Sequence, residues 1–131
     1  MARQSLKLGK PFEDTVPFSL GVIASGRFLH TAGITARDRS GKLVGAGDIV
    51  AQVQQCFNNL SDILEKAGAG FDQVIKYTIY VTDIDAFDVA TRNVRWPYFV
   101  DRPAATLLQV SRLIDPDMMV EIEAIVHLPG D

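Results

Sequence analysis

Residues 120–128, VEIEAIVHL, constrain their own surroundings more than any other stretch of this chain. Val120, Ile122, Ala124, Val126 and Leu128 are apolar. Glu121, Glu123 and His127 fall between them, and Ile125 is the one apolar residue on that side. Successive side chains of a strand point to opposite faces, so this segment has one greasy face and one ionisable face. The greasy face needs a core against it, and the ionisable face must point somewhere else. Glu121 and Glu123 are therefore either a functional pair or the wet side of a sheet.

The rest of the chain supplies the cover. SLGVIAS (19–25) and RFLHTAGI (27–34) read as two strands around Gly26, and Arg39-Ser40-Gly41-Lys42 as a turn. From Asp48 the period changes. Ile49, Val53, Cys56, Phe57, Leu60, Ile63, Leu64 and Ala67 recur at three- and four-residue steps, the stripe of an amphipathic helix. Asp48 is placed to cap its start and Gly68 to stop it. VIKYTIYVT (74–82) is β-branched and aromatic, as a strand prefers. Asp83 can cap a second helix with Ile84, Phe87, Ala90 and Val94 on one face, and Pro97 should end or kink it. ATLLQV (105–110) is a further strand, Asp115-Pro116-Asp117 a turn, and 119–128 the last strand.

The order is thus β-β-α-β-α-β-β, with room for one more strand before residue 12. Two helices cover one face of a five- or six-stranded sheet and leave the other bare. On 74–82, Ile75, Tyr77, Ile79 and Val81 form one side, and Lys76, Thr78 and Tyr80 join the polar side. A sheet face mixing Tyr, Thr, Ile and charge suits a subunit interface with a polar pocket. The expectation is a homo-oligomer.

Composition narrows the function classes. The chain has 131 residues, enough for one domain over 1–131 with its own core. Its net charge of −3 argues against nucleic-acid binding driven by bulk charge. No apolar run approaches a membrane span, and MARQSLKLGKPF lacks the apolar core of a signal peptide. The single Cys56 has no intrachain disulfide partner, which makes a cytoplasmic setting the expectation. It lies on the helix stripe and reads as a packed thiol. His30 and His127 are far apart, and no metal-site spacing or cofactor fingerprint is present, so neither metal nor cofactor is expected. Gly41, Gly45 and Gly47 in SGKLVGAGD lack the Lys-Ser/Thr of a phosphate loop and read as hairpin turn plus helix entry.

The C-terminal third, RPAATLLQVSRLIDPDMMVEIEAIV, resembles the end of the RidA family (YjgF/YER057c/UK114). There a P-A-R strand and a short turn precede V-E-I-E-A-I. PFSLGV (17–22), HTAGIT (30–35), the helix Ile49–Ala67 with Gly68, and VIKYTIYVTDIDAF (74–87) resemble the family's other segments in the same order. The resemblance implies a chorismate-mutase-like α+β fold and a homotrimer with ligand clefts between subunits. It also implies hydrolysis of reactive enamines and imines, such as 2-aminoacrylate, to a 2-oxo acid and ammonia.

Carried onto this chain, the resemblance makes Glu121 the residue that activates or positions the attacking water, and Gly33 a lining residue. Leu107 stands where active members often have a cysteine whose backbone contacts the ligand, and Phe18 where many have a tyrosine. The chief departure is Ala105, which replaces the arginine that clamps the substrate carboxylate. A methyl group cannot supply that charge-assisted fork. Arg92, Arg95 and Arg102 lie close in sequence and offer a cation from another direction, although their plainer reading is a solvated helix face or loop. Glu123 reads as a member of a structural ion pair, His127 as an exposed or interface residue, and Trp96 as packing at the domain edge. The expected function is imine deamination with altered substrate preference. A non-catalytic small-molecule binder is the main alternative, and a ribonuclease fits less well for want of a His/Lys acid–base pair.

Overall fold

The computed structural model describes residues 3–128 and Gly130. Six strands and two α-helices alternate as β1 (Gln4–Leu6), β2 (Gly21–Ile23), β3 (Phe28–His30), α1 (Ile49–Lys66), β4 (Val74–Val81), α2 (Ile84–Arg95), β5 (Ala104–Gln109) and β6 (Val120–His127). The main ladder runs β3-β6-β4-β5. Its β3/β6 and β6/β4 pairs are antiparallel, and β4/β5 is parallel. Strands β1 and β2 form a separate antiparallel pair. That pair adjoins the β5 edge through Ser19, which bridges Ala104 and donates its backbone N–H to Pro103 O. The strand expected before residue 12 is β1. The architecture is the mixed α+β sheet with two helices expected from the element order.

Burial follows the strand period. Along β6, Val120, Ile122, Ala124 and Val126 are buried and Glu121, Glu123, Ile125 and His127 are half-buried. Along β4 the buried residues are Val74, Tyr77, Ile79 and Val81. Ile75 had been expected on that side, but a register shift between Val74 and Lys76 inserts one residue there. Val74 takes the core position instead, because a bulge flips the phase of every residue before it.

Helix α1 begins where Asp48 accepts from Ala51 N–H and stops at Gly68, whose φ of +73° few other residues adopt. It buries Val53, Cys56, Phe57, Leu60 and Leu64, together with Gln52, which the apolar stripe did not include. Gln52 bridges three backbone groups, donating to Gly45 O and Asp117 O and accepting from Met119 N–H. It thereby ties the helix to the turn that leads into β6. Helix α2 starts at Asp83 as expected, but its buried face is Phe87, Thr91 and Arg95, and Ala90 is exposed. The stripe turns because the polar members are satisfied inside. Thr91 Oγ1 donates to Phe87 O and accepts from Arg95 Nε. Stacking of Tyr77 on Phe99 at 3.8 Å and of Phe57 on Tyr98 at 4.4 Å joins the end of α2 to the sheet and to α1.

Candidate functional site

Strand β6 carries Glu121, and the segment after β3 meets it. Thr31 N–H donates to Ala124 O, and Ile34 pairs with Ile122. Three steps along one strand therefore oppose two along the other, which is a bulge at Ala32–Gly33. The bulge brings Gly33 onto Glu121. A β-carbon at Gly33 would stand 1.9 Å from Glu121 Oε2. The sequence-expected pair of Glu121 and Gly33 is thus in direct apposition, on the sheet face that the helices leave bare.

Glu123 lies on that face but is not in an ion pair, as had been expected. Its Oε1 accepts from the Tyr80 hydroxyl at 2.5 Å. The bonded carboxylate pushes the Tyr80 phenol above its ordinary range. Lys76, across the sheet, donates to Thr106 Oγ1 rather than to a carboxylate. Lys76, Thr78, Glu123 and His30 line a shallow cavity of about 210 Å³ on the same face. His127 is set against Ser25 O at 2.7 Å and against the Phe28 ring. These are structural contacts and give it no path to Glu121.

Ala105, Leu107 and Phe18 fall elsewhere. Ala105 is paired with Tyr77 and Leu107 with Ile79, both on the helix-covered face, whereas Glu121 is paired with Tyr80 on the bare one. Paired residues share a face, so the expected site is divided between the two sides of one sheet. Phe18, Ala105 and Leu107 line a cavity of about 300 Å³ with α2 along one wall.

The cavity also holds Trp96 and two of the three arginines offered as alternative cations, Arg92 and Arg95. Trp96, expected at the domain edge, lines it, and the Arg92 guanidinium lies 5.4 Å from the Trp96 ring centre. Arg95 is buried, not part of a solvated helix face, and lies over the Phe87 ring. Asp88 joins the two arginines, accepting from Arg92 at Oδ2 and from Arg95 at Oδ1. Hydrogen bonding from Arg92, then from Arg95, holds the Asp88 carboxyl below the usual carboxylate range. The i, i+4, i+7 spacing of Asp88, Arg92 and Arg95 was the available sign of such a cluster. Arg102 takes no part. Its backbone is left-handed (φ 51°), its carbonyl accepts from Ser19 Oγ, and its guanidinium donates to Glu13 O and Asp14 O.

Cys56 is a packed thiol, as expected. Burial, then the Glu121 charge, pushes it up to about 12. Among the described residues no group of three or more His, Cys, Asp or Glu is placed to hold a metal ion, and no helix is long and apolar enough to cross a membrane.

Comparison with known proteins agrees with this architecture. The RutC family protein of Synechocystis is 34% identical over 116 residues, covering 86% of this chain and 87% of its own length. The RutC family protein UK114 of Drosophila melanogaster is 27% identical over 125 residues, covering 95% and 89%. Among solved structures, the Rid family protein YyfB of Yersinia pestis, described as of unknown function, superposes with a TM-score of 0.82 at 31% identity, over 98% of this chain and 100% of that one. A Mycobacterium tuberculosis member of the YjgF/YER057c/UK114 family gives 0.67 at 30%, over 97% and 100%. The sequence model described as Endoribonuclease L-PSP matches residues 10–128. On the sheet order, the matched segments and the extent of these likenesses, the chain belongs to the RidA (YjgF/YER057c/UK114) family.

Proposed function

We propose that the protein is an enamine/imine deaminase that works as a homotrimer, with Glu121 acting on the attacking water. The observation that carries this reading is the apposition of Glu121 and Gly33 on the uncovered sheet face. A glycine there leaves room for the carboxylate. Water adds to the imine carbon as Glu121 takes its proton, and the C=N electron pair moves to nitrogen. The nitrogen is then protonated, the tetrahedral adduct collapses, and a carbonyl product and ammonia leave. The division of the site between two sheet faces supports clefts built from two subunits. A cytoplasmic setting goes with the buried, unpaired thiol.

Ala105 favours a second reading, a trimer that binds a small molecule without turnover, because the family's carboxylate clamp is missing at that position. The Endoribonuclease L-PSP description of the matched model raises RNA cleavage as a third. Net charge −3 and the structural engagement of His127 lend that little support. Ammonia release from freshly generated imines, short and long, decides among them. The deaminase reading expects turnover that falls about 100-fold in Glu121→Gln. No rate above buffer with any imine leaves the binder. RNA cleavage that survives repurification and is lost in Glu121→Gln establishes the ribonuclease. Sedimentation at micromolar concentration tests the trimer.

A further inference from the structure

We propose that Arg92 and Arg95 of α2 form the carboxylate clamp that Ala105 cannot, and that the space opened beside Ala105 takes the side chain of a larger, apolar 2-oxo-acid-derived imine. This deepens the deaminase reading and rests on it for the reaction, though not for the binding.

Three observations meet in one cavity. First, it contains Ala105 and both arginines. The cation lost from β5 is thus replaced, in the same space, by cations from the neighbouring helix. Second, each guanidinium is held but not exhausted. Arg95 donates Nε to Thr91 and Nη2 to Asp88, and Arg92 donates Nε and Nη2 to Asp88. The Nη1 group of each has no hydrogen-bond partner among the described residues. The Arg95 side chain is 7% exposed, yet among the described residues no buried side-chain nitrogen or oxygen is unpaired, so Arg95 Nη1 belongs to the exposed remainder. Third, one carboxylate is shared by two guanidinium groups, leaving the cluster with a single positive charge. One ligand carboxylate neutralises it.

The walls choose the remainder of the ligand. Phe18, Leu107, Ile79 and Trp96 are apolar or aromatic, and Ala105 presents only a methyl group. A 2-aminoacrylate-sized molecule leaves this space unfilled, whereas a branched or aromatic side chain covers it. Phe18 has no hydroxyl, which keeps that wall apolar.

Equilibrium binding tests the clamp without any need for turnover. Trp96 is the only tryptophan in the chain and lines the cavity, so its fluorescence reports occupancy. The probes are 4-methyl-2-oxopentanoate, its uncharged methyl ester, and pyruvate, with calorimetry as a second readout. The acid is expected to bind about tenfold or more tighter than either the ester or pyruvate. Arg92→Gln and Arg95→Gln are each expected to weaken the acid about tenfold and leave the ester unchanged. Ala105→Arg should reverse the preference towards pyruvate. If circular dichroism shows Arg95→Gln to be unfolded, the exposed Arg92 and Ala105→Arg carry the test. Equal binding of acid and ester, acid binding indifferent to Arg92→Gln or to Ala105→Arg, or no binding to the folded protein would overturn the proposal. Tight, arginine-dependent binding of the acid with no imine turnover would sink the deaminase reading and leave the clamp. Turnover with no preference for the acid would do the reverse.

Discussion

Gly33 lies so close to Glu121 that a β-carbon would stand 1.9 Å from Oε2. The flexible partner has to yield, so Gly33→Ala moves the carboxylate rather than the backbone. The expected outcome is a drop in imine turnover of about tenfold or more, from a displacement on the order of 1 Å. The melting temperature should move by no more than a few degrees, since no core contact is lost. Steady-state kinetics beside a thermal melt check both halves of this expectation.

Asp88 anchors two arginines, one of them buried. Asp88→Ala leaves the Arg95 guanidinium with its Thr91 and backbone partners but without its countercharge. A loss of about 1–3 kcal/mol in denaturant unfolding at neutral pH is expected. The carboxyl is held below its ordinary value by Arg92 and then Arg95. Its contribution is therefore complete above the unfolded value of 3.8 and fades as the pH falls through the lower folded value. The gap between wild type and Asp88→Ala should narrow in that acid range and stay constant from pH 5 upwards.

Cys56 predicts the opposite limb. Its thiol is raised from 9.0 to about 12, by burial first and the Glu121 charge second. Between those values the folded state holds a proton that the unfolded chain releases, so stability falls as pH rises, by about 1.4 kcal/mol per unit at most. Tyr77, raised by burial to about 12, adds the same trend from pH 10. Cys56→Ala should flatten the slope between pH 9 and 10. In the native protein a thiol reagent at pH 8 should react only as fast as the chain opens.

Gln52 is expected to be the costliest polar residue of α1 to remove. Gln52→Ala strands Gly45 O, Asp117 O and Met119 N–H, and a loss of about 2–4 kcal/mol is expected in equilibrium unfolding. Gln52→Glu restores the length and the acceptor but loses both donations, so it should recover only part of that loss.

The elements were legible wherever a local rule governs them. Asp48 and Asp83 cap their helices, Gly68 ends one, and β6 alternates as VEIEAIVHL predicts. What escaped depends on partners distant in the chain. Gln52 reads as a solvent residue until Asp117 and Met119 fold back on it. Ile75 reads as core until the bulge against β6 passes that place to Val74. Arg95 reads as surface because a buried guanidinium is rare without its countercharge, and Asp88 is recognisable as that partner only once the helix is formed. For the site, Glu121 with Gly33 followed from the family resemblance. The gathering of Arg92, Arg95 and Trp96 beside Ala105 depends on how α2 packs across β4 and β5, which no local pattern encodes.

Glu121 and Ala105 face opposite sides of one sheet, which has a consequence for inheritance. On the proposed trimer, two defective alleles, one carrying Glu121→Gln and the other a damaged α2 clamp, would each spoil a different wall of every cleft. If neighbouring copies share each cleft, random mixing of the two products restores both walls in about a quarter of the clefts. Such alleles, inactive apart, should complement one another in the same cell. A protein whose whole site lay within one copy would show no such rescue.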